Sequence, residues 1–128
     1  MQSHLPSRLQ ILTRELRPSK MKKYSVIIDR DAEDDLFDIY TYSALNDSIE
    51  RADRLFSSLR RTCFKLKTLP LRGNISLELF DVGVVEFREI HHTPYRIIYS
   101  IESSTVYIHC VLDRRRDIQT ILQERLLR

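Results

Sequence analysis

The chain has 128 residues, 42% of them apolar and 30% charged, with two cysteines, two glycines and four prolines. That length supports one domain whose core needs no disulfide or metal staple, and the scarcity of glycine and proline argues against long linkers. The formal charge of +3 is unevenly placed: residues 1–20 hold Arg8, Arg14, Arg17 and Lys20 against Glu15 alone, the remainder balances, and composition therefore gives no general case for nucleic-acid binding.

Residues 1–20 read as a basic N-terminal extension, with Pro6 and Pro18 limiting it to a short helix at most. Met21 opens sequence of a different character, so the extension is either a non-native start or an arm that docks on a partner. The stretch Met1–Lys20 lacks the continuous apolar core of a signal peptide, and no apolar run approaches the roughly 18 residues of a membrane span.

Residues 24–28 are rich in β-branched side chains and predict a first strand. Asp31 offers an N-cap, Glu33, Asp34 and Asp35 favour a helix N-terminus, and Leu36, Ile39 and Tyr40 recur at helical spacing over about residues 32–45. Asn46-Asp47 breaks that helix. Asp47 and Glu50 suggest a cap for a second one, whose stripe runs through Ile49, Ala52, Leu55, Phe56, Leu59, Cys63 and Leu66 to a stop near Leu69 and Pro70. So short a joint implies an antiparallel helical hairpin.

Leu71 to Asn74 reads as a loop. Val84–Ile90, Tyr95–Ile101 and Thr105–Leu112 then form three β-rich runs joined by short turns, which predicts an antiparallel meander. Asp117–Leu127 closes the chain as an amphipathic helix with Ile118, Ile121, Leu122 and Leu126 on its apolar side. The expected class is α+β: an N-terminal strand and a helical hairpin packed on an antiparallel sheet, with a short C-terminal helix.

Cys63 and Cys110 sit in separate apolar segments and read as buried free thiols in a reducing compartment, and no ligand spacing for a metal is present. His91 and His92 precede Thr93-Pro94 and read as solvated turn residues. Tyr95, Tyr99 and Tyr107 alternate with strand period and read as sheet packing. Arg114, Arg115 and Arg116 form the densest charge of the domain, flanked by Asp113 and Asp117, and read either as target contacts or as surface ion pairs. Arg88 and Arg96 read either as a cationic pocket or as structural partners of Glu86 and Glu89. Arg54, Arg60, Arg61, Lys65, Lys67 and Arg72 make the second half of helix two basic, either as a solvated face or as an electrostatic footprint.

Taken in order, "LPLRGNISLEL", "FREI", "YRIIYSI", "VYIHCVLDRRRD" and the terminal "ILQERLL" resemble the RelE/ParE toxin superfamily over residues 22–127. The resemblance implies a toxin domain at 21–128 and a cytoplasmic bacterial toxin of a type II toxin–antitoxin pair. Its cognate antitoxin folds over apolar grooves, and a homodimer or toxin–antitoxin heterotetramer is possible. No cofactor, metal or membrane is implied. One branch cleaves messenger RNA on the ribosome, and there Arg96 and Arg115 match the two cationic clamps. The closing helix, however, has no His or Tyr to move a proton. The other branch poisons DNA gyrase by binding, and "RRD" with the leucine-rich terminal helix resembles it more; a degenerate member that binds its antitoxin and is no longer toxic is the third alternative. The target-binding candidates on that reading are Arg88, Arg96, Arg114, Arg115 and Arg116. A tyrosine, histidine or glutamate within bonding reach of both Arg96 and Arg115 would contradict it.

Overall fold

The computed structural model describes residues 23–76 and 86–126. The extension expected over 1–20, the start at Met21, the first residues of the strand expected from Val84, and Leu127 lie outside the described residues. Strand β1 (Ser25–Ile28) leads into helix α1 (Arg30–Asn46) and helix α2 (Ile49–Phe64), which ends in a 3-10 turn at Lys65–Lys67. Strands β2 (Asn74–Ile75), β3 (Arg88–His92), β4 (Tyr95–Glu102) and β5 (Thr105–Asp113) follow, then helix α3 (Ile118–Leu126).

The architecture is α+β: among the described residues, three α-helices lie against a five-stranded sheet of order β1-β5-β4-β3-β2. The meander β3-β4-β5 is antiparallel as expected. The first strand joins the sheet itself, parallel to β5 with Ser25 opposite Thr105 and Ile28 opposite Ile108, so the sheet is mixed. β2 has two residues where the sequence suggested a loop, and it pairs with Arg88 and Glu89.

The helices start where side chains satisfy their free N–H groups. Asp29, two residues before the expected cap, accepts from Ala32 N at 2.9 Å. Ser48 caps α2 by accepting from Arg51 N at 3.1 Å, while Asp47, the expected cap, instead pairs with the Arg51 guanidinium. Asp117 caps α3 through Thr120.

Two apolar layers form because β4 and β5 are buried on both faces. On one face Leu36, Leu59, Cys63 and Leu66 of the hairpin meet Ile97, Tyr99, Ile108 and Val111. On the other, Ile118 and Leu122 of α3 meet Phe87, Ile98, Cys110 and Leu112. Alternate residues therefore feed different cores, which is why these strands read as continuous apolar runs. Both cysteines are buried and free, and burial pushes each thiol up to about 12.

β1 covers β5 only as far as Ile108, and the ladder has a bulge at His109, because Ile98 pairs with Cys110 while Tyr99 pairs with Ile108. Beyond that point Asp35 of α1 takes over the edge: its carboxylate accepts from Val111 N at 2.9 Å. Arg125 of α3 holds the same carboxylate with two bonds, of 2.7 and 3.0 Å, and one of its nitrogens also reaches the His109 carbonyl at 3.1 Å. One buried ion pair thus ties both helical layers to the sheet edge. Gly73 serves a second tight junction, where its N–H donates to the Tyr99 hydroxyl at 2.9 Å and that hydroxyl donates to Pro70 O at 2.7 Å. A Cβ at Gly73 would stand 2.5 Å from that hydroxyl and 2.7 Å from the Glu89 carbonyl, so only glycine fits.

Candidate functional site

The turn from β5 to α3 carries Arg114, Arg115 and Arg116, all exposed. Asp113 organises it: its carboxylate accepts from the Arg115 backbone N–H at 2.9 Å and from Arg115 Nε at 3.0 Å, and its carbonyl accepts from Arg116 N. The bonds from Arg115, side chain first, hold the Asp113 carboxyl below its usual range. Arg115 nevertheless stays 87% exposed, so its charge faces solvent rather than the protein interior. Asp117, the other flanking acid, is committed to capping α3, and Arg114 and Arg116 form no ion pair among the described residues. Arg115 and Arg116 line a groove of about 460 Å³ together with Asp38 and Tyr42 of α1, Tyr95 of β4 and Asp113. Cations at a helix start are unfavourable by about 0.3–1 kcal/mol each, and here they border a concave surface with two aromatic rings.

Arg96 lies elsewhere. It pairs in register with Leu112 of the α3-side core, whereas Asp113, which anchors Arg115, pairs with Tyr95 of the hairpin-side core. The two arginines therefore stand on opposite faces of the sheet. Arg96 is locked to Glu89, with Nε to Oε2 at 2.7 Å and Nη2 to Oε1 at 2.9 Å, and His91 Nε2 meets the same Oε2 at 3.0 Å. The closing helix has no His or Tyr to move a proton, but a glutamate and a histidine of β3 do stand beside Arg96. They do so because a two-residue turn at Thr93-Pro94 sets His91 opposite Arg96, and strand period puts Glu89 on the same face. Neither reaches Arg115. Burial pushes Glu89 up, but the bonds from Arg96 and His91 outweigh it, and the carboxyl titrates below its ordinary value.

His91 and His92 are strand residues of β3 rather than turn residues. Arg88 braces the fold: it donates to Gly73 O at 3.0 Å and pairs with Glu86 at 3.1 Å. Arg88 and Arg96 thus each form an ion pair with a neighbouring glutamate, one of the two readings the sequence offered. Of the basic residues of α2 and the 3-10 turn that ends it, Arg60 pairs with Glu33 and lies over Phe56 and Phe64, and Lys67 lies over Phe64.

A hydrogen-bonded chain absent from the sequence reading links Asp29, His109 and Ser100. His109 Nδ1 meets Asp29 Oδ2 at 3.1 Å, and Nε2 meets Ser100 Oγ at 2.7 Å. The order Asp-His-Ser is that of a nucleophilic relay. Ser100 is only 1% exposed, however, which leaves no room for a substrate carbonyl, and the chain serves as a polar brace between the α1 cap and the sheet. The bulge at His109 breaks the strand alternation, so no sequence signal placed that ring beside Ser100. Among the described residues, no group of His, Cys, Asp and Glu could hold a metal, and no helix is long and apolar enough to cross a membrane.

The remaining surface feature is apolar. Phe37, Tyr42 and Leu45 of α1 and Ile49 of α2 are exposed, Leu45 to 80%. Phe37 lines a groove of about 430 Å³ with Tyr40 and Phe56, whose rings meet edge to face, and with Glu33 and Asp53. Large exposed apolar side chains on neighbouring turns mark a surface built to be covered.

Comparison with known proteins gives a consistent picture. The family model described as the ParE toxin of the type II toxin–antitoxin system parDE matches residues 26–118. Among solved structures, a chromosomal ParDE toxin–antitoxin system from P. aeruginosa superposes with a TM-score of 0.59 at 16% identity, covering 72% of this chain and 97% of that chain. The toxin–antitoxin complex RelBE2 from Mycobacterium tuberculosis superposes with a TM-score of 0.54 at 23% identity, covering 76% of this chain and 98% of that chain. At these identities the structural likeness establishes the fold. No curated protein sequence gives a significant match.

Proposed function

Because the chain belongs to the ParE toxin family of type II toxin–antitoxin systems, we propose that it arrests growth by binding DNA gyrase and that a cognate antitoxin neutralises it. The observation that carries this reading is the separation of Arg96 from Arg115. Metal-free RNA cleavage needs its cationic clamps and its proton carrier around one phosphate. Here Arg96 is tied to Glu89 on one face of the sheet, and Arg115 points to solvent from the other. What the Arg114–Arg116 turn offers is adhesion: unburied guanidinium groups beside Tyr42 and Tyr95 on a concave wall. Arg114, Arg115 and Arg116 are the target contacts on this reading, and Arg88 and Arg96 hold the sheet. The antitoxin covers the apolar face of Phe37, Leu45 and Ile49, where an amphipathic segment would bury exposed rings and meet Glu33 and Asp53 with basic side chains.

A second reading has its own observation. Glu89 and His91 form an acid–base pair beside Arg96, which is part of what a ribosome-dependent ribonuclease needs. Induced expression followed by two readouts separates the readings. Gyrase poisoning predicts a DNA-damage response with intact transcripts. Discrete messenger cleavage within minutes, without DNA damage, would overturn it and establish the ribonuclease.

A further inference from the structure

β2 pairs only with Arg88 and Glu89, yet β3 runs on to His92. Among the described residues, the outer edge of β3 from Ile90 to His92 has no strand partner, and the end of α2 and the turn at Arg72 stand over it. The result is a polar pocket of about 440 Å³ whose walls include Lys65, Arg72, Asn74, Glu89, His91 and His92. That volume lies within the range of small-ligand sites, roughly 300–1,000 Å³.

The chemistry of the walls is one-sided. Lys65 and Arg72 are exposed and form no ion pair among the described residues. Of the basic residues that follow α2, Lys67 is laid over Phe64, whereas Lys65 and Arg72 line this pocket. Among the described residues Glu89 is the one acid in the lining, and both its oxygens are already held by Arg96, one of them by His91 as well. His92 presents the opposite condition: its Nδ1 is enclosed without a hydrogen-bond partner, an arrangement that native proteins rarely leave unexplained. The pocket therefore combines two free cations, an amide, two imidazoles and a carboxylate whose charge is compensated. Such a set discriminates for anions with several acceptor oxygens.

We propose that this edge pocket binds a phosphoryl oxyanion, with Lys65 and Arg72 as its charged clamps and Asn74, His91 and His92 as neutral or protonable donors. The site is separate from the Arg114–Arg116 turn, and the proposal does not rest on gyrase being the target. Two sources supply the same chemistry, a backbone phosphate of a nucleic-acid strand and a free phosphate.

The test is an amide and imidazole NMR titration of the full chain at constant ionic strength, with inorganic phosphate in one arm and a short single-stranded oligonucleotide in the other. Saturable shifts at Asn74, His91 and His92 are expected in at least one arm. The exposed double variant K65Q/R72Q should weaken them about tenfold or more while its thermal midpoint stays put. Tighter binding of the oligonucleotide identifies a backbone site, and equal or tighter binding of phosphate identifies a free-anion site. Absence of saturable shifts in both arms overturns the proposal, and so do shifts that the double variant leaves unchanged.

Discussion

At Glu89 burial and pairing oppose each other, and pairing wins. Its side chain is 13% exposed, yet its carboxyl stays below the ordinary value of 4.5 because Arg96 and His91 bond to the ionised form. A depressed folded pKa means that the unfolded chain binds the proton more readily. The group's contribution is therefore complete above its unfolded value and disappears as pH falls through the folded one. Urea unfolding followed from neutral pH to below 4.5 should show a steeper acid loss for the native chain than for Glu89→Gln. Asp113 and Asp117, both also depressed, keep a residual slope in the variant. Equal slopes for the two proteins would show that the Glu89–Arg96 bond does not outweigh burial. Asp35 runs the other way. Its burial is the larger effect and raises its pKa against the bonds from Arg125 and Val111, so protonation in acid adds stability at that group rather than removing it.

Helix α3 depends on its ion pair as much as on its apolar face. Ile118 and Leu122 bury it against β4 and β5, and Arg125 reaches past the sheet edge to Asp35 of α1. Removing one partner leaves a lone charge in a site where the two side chains are 15% and 7% exposed. Asp35→Ala or Arg125→Ala should therefore cost about 3–5 kcal/mol in denaturant unfolding. The paired replacement D35L/R125M should cost less than either, with about 1–3 kcal/mol remaining for the Val111 N–H it strands. Single-variant losses below about 1 kcal/mol would mean that the pair behaves like an exposed one. Much at this scale was legible in the chain. The stripe Ala52, Leu59, Cys63, Leu66 marks the buried side of α2, and the β-branched runs mark β4 and β5. What local pattern could not give was long-range pairing: β1 lying parallel to a strand some eighty residues away, the two-residue β2, and Asp35 finding Arg125. Asp35 looked like helix-dipole chemistry because acids near a helix start usually are. The Glu89–His91–Arg96 cluster, by contrast, was readable. A two-residue turn at Thr93-Pro94 fixes the register, and strand period does the rest.

For the whole molecule, layering decides how its charges act. Among the described residues three α-helices cover two faces of one sheet, with Arg96 on the α3 side and Asp113, which anchors Arg115, on the hairpin side. The compensated arginine, Arg96, sits with Glu89 on the α3 side. The exposed cluster sits at the end of β5, next to α1. On the function proposed above, a toxin arranged this way acts by adhesion, and the exposed Phe37, Leu45 and Ile49 are the face its antitoxin covers. The most direct check is DNA gyrase supercoiling in the presence of purified, folded toxin. Inhibition at micromolar toxin is expected, weakened about tenfold or more when Arg114, Arg115 and Arg116 are all replaced by Gln. Undiminished supercoiling with toxin shown to be folded would contradict the account.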